Sequence, residues 1–128
     1  MIYIDSSVAL ARLLIEPRSP PERLWRERLV SSRLLEYEVW NRVHAYGLAG
    51  QVGNATQALL LRVGMIEMTR SVLARALEQQ PFALRTLDSL HLATMDFLRG
   101  RSETVELASY DTRLLAAARA LGIPLARL

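Results

Sequence analysis

In Ile2-Tyr3-Ile4-Asp5-Ser6-Ser7-Val8-Ala9-Leu10-Ala11-Arg12-Leu13-Leu14-Ile15 a short apolar run ends on an aspartate, two serines follow, and the apolar pattern lengthens into a helical spacing. The change from a period of two to a period of 3.6 predicts a strand over residues 2–5 and a helix through Val8–Ile15, capped by Ser6 or Ser7. The order recurs near the other end of the chain. Val105–Ser109 reads as a strand, Asp111 follows it, and Thr112–Leu121 reads as a helix stopped by Gly122. Strand then helix, repeated, predicts a parallel sheet flanked by helices rather than a bundle.

The segments between fit that frame. Pro17, Pro20 and Pro21 break the first helix, and Pro21 suits the first turn of a short helix over Glu22 to Glu27. Arg28 to Ser31 reads as a second strand, and Ser32 caps a long helix from Arg33 to Tyr46. Gly47, Gly50 and Gly53 mark a turn before a helix from Ala55 to Val63. Met65–Met68 reads as a strand and Arg70–Gln79 as a helix. Pro81 interrupts before a helix over Leu87–Arg99, and Ile123-Pro124-Leu125 reads as a last edge strand, where proline is tolerated. With no repeat, low-complexity tract or linker, residues 1–128 are expected to form a single domain.

Composition narrows the chemistry. Half of the residues are apolar, which excludes a disordered tail. No apolar run approaches the roughly 18 residues of a membrane span, and the start lacks the basic region of a signal peptide. The expectation is therefore a cytoplasmic protein without a membrane partner. The absence of cysteine rules out thiolate zinc sites, and two histidines, His44 and His91, make a histidine-rich site implausible. Any metal must be held by oxygen, which points to magnesium or manganese. All 16 basic residues are arginine, which a GC-rich genome explains; the net charge of +3 suits a polyanionic partner.

Aspartate occurs only at positions 5, 88, 96 and 111. Asp5 and Asp111 each follow a strand and precede a helix, so adjacent parallel strands would bring both to the carboxyl edge of a sheet. Each alone also reads as a helix cap. In the 33–46 helix, Glu38 falls within the apolar arc, where an unpaired charge is costly. Either it pairs with Arg42 one turn on, or it is a metal ligand. Asp88 lies in the first turn of its helix, where the helix dipole favours a carboxylate. Asp96, roughly 80° further round and roughly 12 Å along, reads as solvated. His91 reads as a packed core histidine.

These residues carry a resemblance. Ile2 to Leu10 resembles the opening strand and first acid of PIN-domain ribonucleases. Ser31-Ser32-Arg33-Leu34-Leu35-Glu36-Tyr37-Glu38-Val39 resembles their second motif, with Glu38 in the acidic position. Leu87-Asp88-Ser89-Leu90-His91-Leu92-Ala93-Thr94 is similar to the third, usually read with alanine where Ser89 stands. Ser109-Tyr110-Asp111-Thr112-Arg113-Leu114-Leu115 resembles the fourth, followed by the typical Ala-Leu-Gly-Ile. At this size the chain is most similar to VapC-type toxins of toxin–antitoxin pairs.

The resemblance implies a PIN-like α/β domain with a parallel sheet of about five strands, a homodimer, a VapB-like antitoxin and a magnesium- or manganese-dependent endoribonuclease. Asp5 and Asp88 are then the direct metal ligands, and Glu38 and Asp111 complete the shell. Ser6 would orient Asp5 or touch a phosphate, and Arg85 and Arg113 would bind the RNA backbone. An alternative is a PIN-like module that binds RNA or protein without cleaving. Two other acid-rich α/β enzymes fail: a phospho-receiver uses a lysine this chain lacks, and a phosphoaspartyl hydrolase needs an Asp-x-Asp pair where Ser7 follows Asp5 by two.

Overall fold

Alternation along the strands sets the architecture. In the computed structural model, which describes residues 1–80 and 83–128, β1 (Ile2–Ile4) turns Tyr3 to one side and Ile4 to the other, both fully buried. β2 (Leu29–Ser32), β3 (Gly64–Ile66) and β4 (Glu106–Ala108) join it in one sheet ordered β3-β2-β1-β4, every pair parallel. A sheet covered on both faces explains why β2 is buried at all four positions.

Among the described residues six α-helices cover the sheet: α1 (Ser6–Leu13), α2 (Leu34–Ala45), α3 (Ala49–Leu61), α4 (Arg70–Ala76), α5 (Thr86–Gly100) and α6 (Thr112–Ala120). One core packs Val8, Leu13, Leu35, Val39, Val43 and Leu60 from α1, α2 and α3 against Ile4, Leu29 and Ala108. The other packs Leu92, Met95, Leu98, Leu114 and Ala117 from α5 and α6 against Tyr3, Val30 and Leu107. Each fully buried side chain of this size stabilises the fold by about 1.5–3 kcal/mol.

The expected elements are present, with five corrections. Arg33, rather than Ser32, is the N-cap of α2, although Ser32 Oγ accepts from the Leu34 N–H at 3.2 Å. Asp5, rather than Ser6 or Ser7, is the N-cap of α1, since its carboxylate accepts from the Val8 N–H. The segment after Pro21 is a 3-10 helix, Glu22–Arg26. α3 begins at Ala49 and runs through Gly50 and Gly53; only Gly47, at φ +65°, serves the turn. The fifth strand reduces to a single parallel bridge, Leu107 to Leu125, because Pro124 has no N–H with which to extend a ladder. The break expected at Pro81 lies outside the described residues.

The chain order creates a crevice. β1 leads through α1 to β2 on one side, while β4 pairs with β1 on the other. Such a reversal leaves a cleft outside the carboxyl ends of β1 and β4. Ile4 pairs with Ala108, so residues 5 and 109 meet there.

Candidate active site

Asp5 occupies the crevice floor and is only 5% exposed. Its Oδ1 accepts from Ser7 Oγ at 2.6 Å and from the Val8 N–H at 3.3 Å; its Oδ2 accepts from Ser109 Oγ at 2.6 Å. Burial pushes the Asp5 carboxyl above its ordinary range, and the two serine hydroxyls pull it part of the way back. Ser109 was not singled out from the sequence. Its signal was the register: if β1 and β4 are neighbours, the residue after Ala108 must sit beside Asp5.

Glu38 reaches the crevice from α2. Its Oε1 lies 2.5 Å from His91 Nε2, and its Oε2 accepts from Ser6 Oγ at 3.2 Å. The partner is therefore His91 rather than Arg42, whose guanidinium instead lies over the Tyr46 ring. Ser6 holds Glu38, and the expected task of orienting Asp5 falls to Ser7. His91 is a core residue as expected, at 2% exposed, but it is also the link between Glu38 and Tyr3.

Asp88 stands in the first turn of α5, half-buried, one helical turn before His91. Among the described residues its carboxylate has no hydrogen-bond or ion-pair partner. Burial raises its pKa first, the charge of Asp111 raises it further, and Glu38 adds a smaller upward push. His91 and Arg85 act in the opposite direction.

Asp111 caps α6, its Oδ1 accepting from the N–H groups of Arg113 at 2.9 Å and Leu114 at 3.2 Å. Its own N–H donates to Ser109 Oγ at 2.9 Å, which ties it to the hydroxyl that holds Asp5. Asp96 lies elsewhere, paired with Arg75 at 2.5 Å and partly exposed, so the expectation of simple solvation becomes a surface ion pair.

Arg85 and Arg113 are exposed and line one cavity of about 530 Å³ together with Asp88, Leu84 and Thr112. This hollow opens beside Asp88 and carries two cationic side chains, a combination suited to a phosphate backbone passing an acidic centre.

The donor set fits a hard divalent cation: carboxylate oxygens only, with the charged form of Asp88 disfavoured by burial and then by its like-charged neighbours. The fit is incomplete in one respect. Among the described residues no three acidic or histidine side chains are gathered closely enough to hold an ion as they stand. Asp5 and Glu38 accept protein hydrogen bonds at both oxygens, and Asp111 accepts them at Oδ1.

Fold and site together define a PIN domain: the chain belongs to that family, whose match spans residues 2–124. Its relatives include ribonuclease VapC46 of Mycobacterium tuberculosis (strain ATCC 25618 / H37Rv), 34% identical over 125 residues, covering 95% of this chain and 93% of the relative. Ribonuclease VapC47 of Mycobacterium tuberculosis (strain CDC 1551 / Oshkosh) is 32% identical over 129 residues, with the same coverage. The fold is also similar to the crystal structure of Mycobacterium tuberculosis VapC20, a sarcin-ricin loop cleaving toxin, with a TM-score of 0.71 over 100% of both chains at 17% identity.

Proposed function

We propose that this protein is a magnesium- or manganese-dependent endoribonuclease and the toxin of a toxin–antitoxin pair. The observation that carries the reading is Asp88: a carboxylate without a partner among the described residues, its charged form disfavoured by burial and then by Asp111 and Glu38, on the wall of a cavity that also bears Arg85 and Arg113. Kinship with ribonucleases of the VapC group supports the substrate class.

Asp5 and Asp88 would hold the cation directly, with Glu38 and Asp111 completing the shell. Bound there, magnesium or manganese supplies positive charge for the phosphoryl oxygens and lowers the pKa of water in the site. The chain's own residues do the rest. Ser7 and Ser109 fix the Asp5 carboxylate from both sides, and Ser6 and His91 fix Glu38. Arg85 and Arg113 offset the repulsion between the acids and the RNA backbone by contacting phosphates.

Two partners complete the proposal: a VapB-like antitoxin that occupies the site, and a second copy of the chain. No helix among the described residues is long and apolar enough to cross a membrane, in keeping with action on RNA in the cytoplasm.

Purified protein should cut structured RNA with magnesium or manganese and stop in excess EDTA; cleavage unchanged by EDTA refutes the mechanism. A second reading has its own support: three of the four acids are already hydrogen-bonded and there is no ready cluster among the described residues, as expected of a PIN domain that binds without cleaving. Thermal melts separate the two. A metal-binding enzyme gains stability with manganese by mass action, and a metal-free binding module does not.

A further inference from the structure

A buried chain of hydrogen bonds runs from the sheet to Glu38, crossing β2, β1, α5 and α2. The Ser32 N–H lies 3.0 Å from the Tyr3 hydroxyl, that hydroxyl lies 2.6 Å from His91 Nδ1, and His91 Nε2 lies 2.5 Å from Glu38 Oε1. Tyr3 is fully buried and His91 is 2% exposed, so water has no access to the middle of the chain. Glu38 keeps 19% of its side-chain surface, so the chain ends on a group that solvent reaches.

The polarity of the chain follows from one fixed donor. A backbone N–H can only donate, so the Tyr3 oxygen accepts from Ser32. The 2.6 Å contact to His91 Nδ1 is shorter than the 3.0 Å one to the Ser32 N–H, and the geometry assigns the single Tyr3 proton to that nitrogen. A nitrogen that accepts cannot carry the proton of a neutral imidazole, so that proton sits on Nε2 and points at Glu38. Ser6 donates to the other oxygen of the same carboxylate. Glu38, with three side-chain torsions, is thereby held at both oxygens.

We propose that Tyr3 and His91 are positioning residues for Glu38: Tyr3 sets the tautomer of His91, and His91 aims the Glu38 carboxylate into the crevice. This rests on Glu38 belonging to the metal-binding acids proposed above. Partners of this kind orient a ligand and raise its affinity for a metal, and their loss typically weakens binding by about tenfold to a hundredfold.

The test begins with the unmodified protein. In nitrogen-15 spectra of the metal-free, histidine-labelled chain, His91 should show a single Nε2–H tautomer with slow proton exchange, while exposed His44 serves as the averaging reference. A proton on Nδ1 overturns the proposal. Manganese is then titrated calorimetrically into wild type, Tyr3→Phe and His91→Gln, each checked for cooperative melting. The expected result is a dissociation constant raised about tenfold or more in both variants, with Tyr3→Phe also speeding exchange of the His91 proton. A folded Tyr3→Phe protein with wild-type affinity and an unchanged His91 spectrum overturns it. Wild-type protein that takes up no manganese refutes the metal reading instead, and the histidine spectrum then decides the proposal alone.

Discussion

Asp88 and Asp96 sit on one helix eight residues apart, and their surroundings separate them. Asp88 has a raised pKa and no partner among the described residues; Asp96 is neutralised by Arg75 at the surface. Asp88→Asn should lower cleavage by roughly a hundredfold or more, because it keeps size but removes charge from the site. Asp5→Asn should do the same. Asp96→Asn should leave cleavage within about twofold and cost under about 1 kcal/mol, the usual scale of an exposed ion pair. If Asp96→Asn is as damaging as Asp88→Asn, the assignment of Asp88 is wrong. The raised pKa has a further consequence. A carboxyl that binds its proton more tightly in the folded state contributes stability at low pH that is lost as pH rises from the ordinary carboxylate value through the raised one. The metal-free protein should therefore lose stability across that window, and Asp88→Asn should melt higher than wild type at neutral pH in EDTA. Melting curves between about pH 4 and pH 8 check the sign; a variant that melts lower at neutral pH contradicts the shift.

Helix boundaries show what a pattern of residue types can and cannot convey. The β1–Asp5–α1 unit and the α5 stretch were legible because an apolar run, a polar residue and a helical arc succeed one another without ambiguity. The start of α3 was not, because Gly50 and Gly53 resemble turn residues and helix propensity is a weak prior against tertiary packing. Here a side chain at Gly53 would meet Trp40 only at an ordinary 3.8 Å, and at Gly50 it would meet nothing. The partner of Glu38 was illegible for another reason: Arg42 is near in sequence, whereas His91 is brought there by the packing of α5 against β2. The glycines supply a direct check. Gly50→Ala should stabilise the protein by about 0.5–1 kcal/mol, since glycine inside a helix costs that much relative to alanine. Gly122→Ala should destabilise it by about 1 kcal/mol or more, because φ there is +70° and a side chain is strained whatever space surrounds it. Chemical denaturation of both variants reads the two signs; a loss of stability in Gly50→Ala contradicts a helix that begins at Ala49.

For the assembled molecule the open question is what covers the outer side of α2 and α3. Large apolar side chains on these helices exceed what one face against a sheet requires, and the fold disposes of them unequally. Leu60 is buried and Leu59 half-buried, whereas Leu61 is 82% exposed. Trp40 stacks on His44 yet remains partly exposed, and it lines a groove of about 450 Å³ in which Leu61, Val63 and Met65 stand beside the polar Arg33, Glu36 and Gln57. β3 lies beside this groove as the outer strand of the sheet, so its free edge and the apolar patch occupy the same side. Apolar surface concentrated in this way is the usual mark of an interface. A second copy related by a two-fold axis would cover it on both chains at once. Light scattering at micromolar concentration should accordingly report twice the 14.4 kDa chain mass. Leu61→Glu offers the sharper test: the side chain is already in solvent in the single chain, so the substitution spares the fold, but in the dimer it would bury an unpaired charge at a cost of several kcal/mol. That variant should be monomeric with an unaltered melting profile at low concentration. A monomeric wild type removes the dimer, and a Leu61→Glu protein that still pairs places the interface on another face.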